Sequence, residues 1–269
     1  MKKPKVLLFS GSHARHLFVH KAILESGFDC AVVLMEREDV IPDPPTGIKK
    51  VDQDNFVRHF RDRSIIEVNV FGRLDVESVF DGIPCIRTTS KTLNSFDTIS
   101  FVKSFSPDIV FVFGTDLILG ELLDALPYHK LNMHLGLSPW YKGSATLFWP
   151  FYFLQPQYTG ATFHRIVPAA DAGGVLHQSV PDLSPNDGIH DVAVKTVIKA
   201  RDNLVELLEL YVKNGWEYQA QNSSGRLFLT KDFEPHHLRV IYNLYDNNIV
   251  EAYLNGELGS RKPSLISTL

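Results

Sequence analysis

Short apolar runs rich in β-branched and aromatic residues alternate along this chain with stretches of helical period. The runs are KVLLFS (5–10), AVVLM (31–35), IPCIR (83–87), DIVFVFG (108–114), KLNMHL (130–135), GATFHRIV (160–167) and GVLHQSV (174–180). Each has the length and composition of a strand. Helical spacing fills most of the intervals: from about His13 to Ser26, Ser95 to Phe105, Gly120 to Leu126, and Ala145 to Leu154. Strands and helices alternating in this way predict an α/β fold, with a Rossmann-like, mostly parallel sheet flanked by helices.

Two regions depart from the rhythm. Between Glu36 and Phe80 the chain carries the stiff IPDPPTG and then the charged DQDNFVRHFRDRS, with no strand signal of comparable strength. That pattern predicts a helix on an excursion from the sheet, compatible with a mobile flap. After Val180, residues Ile189, Val192, Val197, Leu204, Leu208 and Tyr211 follow helical spacing, so a long amphipathic helix should end near Gly215. Beyond it the sequence predicts a turn at NSSG, a short strand RLFLT and a helix from about Pro235 to Leu254, with Tyr242, Tyr245 and Tyr253 on its buried face. The economical division is a main domain over 1–215 and a small C-terminal α+β extension over 216–269.

Composition narrows the function. The chain has 269 residues, with 27 Lys and Arg against 31 Asp and Glu, a net charge of -4. A protein whose affinity comes from many phosphate contacts needs a basic excess, so nucleic acid is not expected as the main partner. The two cysteines, Cys30 and Cys85, lie in apolar segments and read as buried free thiols of a reducing compartment. The basic start is followed by an apolar run too short for a signal peptide, and no run approaches membrane-spanning length. A cytoplasmic location away from membranes is the expectation.

The candidate chemistry sits in LNMHLGLSPWYKG, residues 131–143. Asn132 and His134 are one residue apart on a strand and share a face, with Met133 turned the other way. In an open parallel sheet, ligands collect beyond the carboxyl ends of the strands. There an amide N–H can meet a developing oxyanion, and an imidazole can exchange a proton near neutrality. Downstream, VPAADAGGVLHQ places Asp171 in a Gly-rich loop between two strands. If the loop folds back, Asp171 can orient His134 and raise its pKa. Spacing alone also fits a structural pair and ordinary turn chemistry, and leaves function open.

The segment NMHLGLSPWYKG followed by GATFHRIVPAADAGGVL resembles the signature of formyltransferases that use 10-formyltetrahydrofolate: an Asn-x-His pair, a loop of pattern H-P-S-L-L-P-x-Y-x-G, a strand with a second His, then Asp-x-G. The resemblance is sharp from Asp108 to Val180. It implies that Asn132, His134 and Asp171 are catalytic, with His164 on the strand before the Asp loop. It implies that Phe113, Gly114, Thr115, Asp116, Leu117 and Ile118 hold the pterin of the folate, through backbone groups. The loop departs from the family pattern at Leu135, Gly136 and Ser138. The implied reaction needs no metal: an acceptor amine attacks the formyl carbon, Asn132 and protonated His134 stabilise the oxyanion, and Asp171 keeps His134 charged.

For the acceptor, the turn FSGSHARHLF stands where the purine-pathway member of the family binds a phosphate. Gly11, Ser12, Arg15 and His16 are therefore candidates for an anion; a plain strand-to-helix turn capped by Ser12 is the other reading. His13, His16 and His20 are three and four apart, but with no neighbouring Cys or acidic cluster that spacing does not argue for a metal. Tyr141, Lys142 and Gly143 are placed near the acceptor, where Trp140 and Tyr141 either line a pocket mouth or pack. A short tail of mixed charge disfavours methionyl-tRNA as acceptor. The length resembles sugar N-formyltransferases, which implies a nucleotide-linked amino sugar. A hydrolase releasing formate from the same folate, and a glycinamide ribonucleotide or methionyl-tRNA formyltransferase-like enzyme, are the alternatives. The C-terminal helix is read as a lid or as a homodimer contact.

Overall fold

The computed structural model describes residues 3–36, 41–221 and 225–269. Strands β1 (Lys5–Gly11), β2 (Asp29–Met35), β3 (Cys85–Thr88), β4 (Ile109–Phe113), β5 (His129–His134), β7 (Ala161–Arg165) and β8 (Val175–Ser179) form one sheet, while β6 (Tyr141–Gly143) and β9 (Arg226–Phe228) form a separate pair. The helices are α1 (Ala14–Glu25), α2 (Lys50–Phe71), α3 (Val76–Val79), α4 (Phe96–Phe105), α5 (Gly120–Ala125), α6 (Trp149–Tyr152), α7 (Ile189–Asn214) and α8 (Ile249–Leu254). The strand order is β3-β2-β1-β4-β5-β7-β8. From β3 to β5 the strands are parallel; β7 runs antiparallel to β5, and β8 antiparallel to β7.

Both faces of the sheet are covered, which is why its central strands are apolar at successive positions. In β1, Val6 and Leu8 join the core shared with α1 and α7, whereas Leu7 and Phe9 join the core shared with α4 and α5. The order reverses between β1 and β4, which opens a crevice beyond Gly11 and Phe113. His20 is fully buried on α1, its ring edge-on to Phe111 and its Nε2 3.4 Å from the Phe113 carbonyl.

The expected main-sheet strands are all present, within two residues at each end. Four expectations change. The 36–80 region contributes a helix of 22 residues, well beyond the charged stretch that signalled it, and it packs on α1 and α7 rather than forming a flap. Its face toward the C-terminal extension is polar: Asp52 accepts two hydrogen bonds of 2.6 Å from Arg239, Asn55 donates to Asn243 at 2.7 Å, and His59 Nδ1 lies 3.0 Å from the Tyr242 hydroxyl. The helix expected over 145–154 shrinks to the single turn of α6. The tail helix is broken into a 3-10 turn, a π turn over Val240–Leu244 and α8, interrupted at Asp246 and Asn247, which both adopt positive φ. Tyr242 is buried, but Tyr245 and Tyr253 are half-buried. Finally, Cys85 is exposed, because β3 is an edge strand, while Cys30 is buried. Of the NSSG turn, residues 222–224 lie outside the described residues.

The extension is stitched into the main domain. Strand β9 pairs with β6, and Phe228, 1% exposed, lies stacked against Trp149 and Tyr141 with ring centroids 4.6 and 5.9 Å away. The free edge of β8 is covered at Val175, which exchanges hydrogen bonds of 2.7 and 2.8 Å with Gln219. Further along, Gln178 N–H donates to the Ile266 carbonyl at 2.9 Å. Covering an edge in this way removes a template for pairing with other chains. Replacing Phe228 with Ala should lower unfolding stability in urea by about 3–5 kcal/mol. A loss under about 1 kcal/mol would mean that the extension is not integral to the fold.

Candidate active site

Alternation along β5 sends Leu131 and Met133 into the core shared with α1 and α7, so Asn132 and His134 face the opposite side at the strand's carboxyl end. Antiparallel pairing with β7 sets His164 directly opposite Asn132. Gly173 then lies so close to the Arg165 carbonyl that a Cβ there would sit 1.7 Å from the oxygen, and only glycine permits this return. Asp171, at φ 50°, turns its carboxylate back over β5. Its loop is tied by Gln221 Nε2, which donates to the carbonyls of Asp171 and Gly173 at 2.9 and 2.7 Å.

Asp171 Oδ2 accepts from the Gly143 N–H at 2.8 Å and stands 3.5 Å from His134 Nδ1; Oδ1 stands 3.3 Å from His164 Nε2. His134 Nε2 is 3.0 Å from the Tyr141 carbonyl, and His164 Nδ1 is 3.1 Å from the Arg165 carbonyl. With Nδ1–H of His164 given to that carbonyl, its Nε2 accepts from Asn132 Nδ2 at 3.1 Å and fixes the amide's orientation. The structure thus brings Asn132, His134, His164, Asp171 and Gly143 into one contact group.

Burial pushes the His134 pKa below its ordinary value; Asp171 and the Tyr141 carbonyl pull it up, His164 lowers it further, and burial prevails. The expectation that Asp171 leaves this ring with a raised pKa is therefore corrected. Burial would also raise the Asp171 pKa, yet His134, His164 and the Gly143 N–H together hold it well below the carboxylate range. At rest the site is a carboxylate beside an imidazole that is neutral near pH 7. Should that ring take a proton, both its nitrogens become N–H donors, and the Tyr141 carbonyl and Asp171 already stand at the two of them.

The other candidates separate into groups. Phe113 is the buried end of β4, Gly114 turns with φ 94°, and Ile118 is anchored in the core beside α4 and α5. Thr115 Oγ1 donates to the Asp116 carbonyl, and the Asp116 N–H points at Met35 Sδ, 3.5 Å away. Leu117 is exposed; Asn94 clamps this loop, donating to the Leu117 carbonyl at 3.0 Å and accepting from Leu119 N–H at 2.8 Å. Asn94 carried no sequence signal. At the β1 turn, the His16 ring lies against Gly11 and Gly114 and edge-on to Phe113. The N-cap of α1 is His13 rather than Ser12, and it forms no side-chain cap. Arg15 bonds Glu67 on α2 through Nη1 at 3.1 Å, and its Nη2 lies 3.5 Å from His13 Nδ1 in the turn. Tyr141 is buried, its hydroxyl donating to Gln155 at 2.9 Å, so it packs and offers the site its carbonyl. Lys142 is half-buried between the two.

A cleft of about 480 Å³ opens between α1, α2, α7 and the 144–148 segment. Arg15, Arg63 and Glu67 stand along it, and His59, His190 and Phe148 lie among its lining. Burial lowers the pKa of His190 to about 4 and holds that of His59 well below its ordinary value. No sequence pattern at Asn132 or Asp171 pointed to this cleft. Among the described residues, no group of three or more His, Cys, Asp or Glu side chains is arranged to hold a metal ion, and no helix is long and apolar enough to cross a membrane.

Residues 9–208 match the profile of the formyl transferase family. A methionyl-tRNA formyltransferase of Agathobacter rectalis is 26% identical over 218 residues, which is 81% of this chain and 62% of that protein. The chain spans less than two thirds of the length of the curated relatives it matches. Its fold is similar to an N-formyltransferase from Helicobacter canadensis solved with folinic acid and dTDP-3-aminofucose, at 17% identity and a TM-score of 0.57, covering 89% of this chain and 81% of that one. It is also similar to a phosphoribosylglycinamide formyltransferase from Anaplasma phagocytophilum, at 14% identity and a TM-score of 0.56, covering 85% of this chain and all of that one.

The buried histidines make stability pH-dependent. His20 and His190 have folded pKa values of about 4, against an unfolded value near 6.5. Between these values the unfolded chain binds protons that the folded one excludes, so stability falls as pH falls. His59 and His134 act with the same sign. Urea unfolding should show a loss beginning near pH 6.5 and reaching roughly 3 kcal/mol for each of His20 and His190 by pH 4. A flat profile across that window would show these rings to be solvated.

Proposed function

The chain belongs to the formyl transferase family, and on that premise we propose that it transfers the formyl group of 10-formyltetrahydrofolate to a primary amine of a small acceptor, a nucleotide-linked amino sugar. The observation that carries the transfer reading is the grouping at the carboxyl end of β5 of His134 against Asp171 and of Asn132, which reaches Asp171 through His164. For the donor, the support is that the Helicobacter canadensis protein of like fold was solved with folinic acid, and that the clamped 113–118 loop lies at the end of the adjacent strand. Support for a small acceptor comes from the cleft of about 480 Å³ beside the centre and the net charge of -4. The amino-sugar reading draws on the acceptor named for that same protein.

In the reaction, the acceptor's amine lone pair attacks the formyl carbon and the carbonyl electrons move to oxygen. Asn132 donates an amide N–H to the oxyanion. His134 is neutral at rest, which suits it to accept the proton leaving the attacking nitrogen. Its Nδ1, 3.5 Å from Asp171 and looser than a hydrogen bond, is the ring atom open to that proton. The imidazolium is then held by the Tyr141 carbonyl and Asp171. Collapse of the intermediate breaks the bond to N10 of the folate, and the proton passes from His134 to that departing nitrogen. His164 positions Asn132 through its Nε2.

The test is a spectroscopic assay of 10-formyltetrahydrofolate consumption, run alone and then with nucleotide-linked amino sugars, glycinamide ribonucleotide and free amino acids, with the formylated product identified by mass. Acceptor-dependent consumption with an amino sugar is the expected result. Consumption without acceptor would make the protein a hydrolase, and glycinamide ribonucleotide as the preferred acceptor would move it to the purine-pathway class. Replacing Asn132 with Ala should slow turnover about a hundredfold or more. His134→Ala should abolish it with the fold retained; near-normal turnover in that variant would overturn the mechanism.

A further inference from the structure

The cleft between α1, α2 and α7 adjoins the reaction centre at two points of the chain. Leu135 in its wall follows His134, and Ser144 follows Gly143, the residue whose N–H holds Asp171. Its charge is arranged unusually for a structural salt bridge. Arg15 Nη1 and Arg63 Nε both point at one oxygen of Glu67, Oε1, at 3.1 and 3.0 Å. Two guanidinium groups therefore share a single carboxylate, leaving an excess of one positive charge. The three side chains are 17%, 33% and 19% exposed, so solvent screens that excess only in part. Each guanidinium carries five donors in a planar fork, and Glu67 takes one from each.

Elsewhere in the cleft the character changes. Phe148 and Phe233 meet at 4.9 Å with rings perpendicular, and the His59 ring stands edge-on to Phe148. His59 is 7% exposed and is pinned through Nδ1 by Tyr242 of the C-terminal extension. It is neutral near pH 7, so the positive charge of this space belongs to the two arginines. Phe233 also comes from the extension. A cationic part beside an aromatic part fits a molecule with a phosphate group at one end and a ring at the other.

Resting on the transferase reading of the neighbouring centre, we infer that this cleft seats the acceptor: Arg15 and Arg63 hold its diphosphate in place of Glu67, and His59, Phe148 and Phe233 enclose its ring system. Glu67 is then an internal stand-in for the ligand's anion, swung aside on binding. The extension helps to set acceptor specificity, because it supplies Phe233 directly and fixes His59 through Tyr242.

The experiment is calorimetric titration of the full chain with inorganic pyrophosphate, UDP, dTDP and uncharged uridine and thymidine, repeated on Arg15→Met, Arg63→Met and Glu67→Gln. Binding of 5-formyltetrahydrofolate to each variant serves as the check on folding. Wild type should bind the nucleoside diphosphates, and the uncharged nucleosides about tenfold more weakly or less. Each arginine variant should lose about tenfold or more in diphosphate affinity. Glu67→Gln should bind diphosphates about threefold tighter, because the competing carboxylate is gone. Diphosphate affinity unchanged in both arginine variants, or no diphosphate binding by wild type, would overturn the inference. Arginine-dependent binding in a protein that consumes no formyl folate with any amine would uphold the seat and reject the reaction instead.

Discussion

A carboxylate removed from water must be supplied with donors or positive charge, or it costs several kcal/mol. Asp171 meets that demand through the Gly143 N–H and through the N–H that His134 Nδ1 presents once the ring is protonated, while the His164 ring stands against its other oxygen. Each of these contacts fixes a different part of the molecule. The Gly143 N–H fixes the segment that begins at β6, His134 fixes the end of β5, and His164 fixes β7. The loop that delivers the carboxylate is held by Gln221 and requires a glycine at 173. The proposed reaction centre is therefore the place where the antiparallel half of the sheet, the β6 segment and the start of the extension are tied together.

The end of the sheet is organised on two sides. Asn132 and His134 face the side of α4 and α5, toward the loop clamped by Asn94. Leu135 faces the cleft on the side of α1 and α7. In the reaction proposed above, a donor on one side and an acceptor on the other meet over the crevice between β1 and β4 without sharing a pocket. Helix α2 closes the second side, and its polar seam with the extension determines where it lies. Hydrogen bonds and an ion pair set that position more specifically than an apolar contact of the same size would.

Most of the fold was legible because the sheet is covered on both faces, which leaves unbroken apolar runs that announce strands. Asn132, His134 and Asp171 were legible because same-face spacing and a Gly-rich return loop are local patterns. What was hidden was hidden for physical reasons. The inward face of α2 toward the extension is made by Asp52, Asn55 and His59, buried side chains that are polar. Hydrophobic periodicity cannot register such a face, so the helix read as short and solvated. The break in the tail helix depends on Asp246 and Asn247 taking left-handed backbone, where the Asn247 side chain accepts from the distant Ile189 N–H at 3.1 Å. The cleft was invisible because its walls come from residues more than a hundred positions apart, such as Arg63 and Phe233. The direction of the His134 pKa was misjudged because a sequence names a neighbouring charge but not the depth of burial that outweighs it.

The most direct test of the account is the single-turnover rate of acceptor-dependent formyl transfer in Asp171→Asn, measured with both substrates saturating and the fold checked by circular dichroism. The amide keeps the size of the side chain and removes its charge, so the imidazolium that forms on His134 loses its negative partner and keeps only the Tyr141 carbonyl. The account predicts a fall of about a thousandfold or more. A rate within a few-fold of wild type would place the chemistry elsewhere in the molecule.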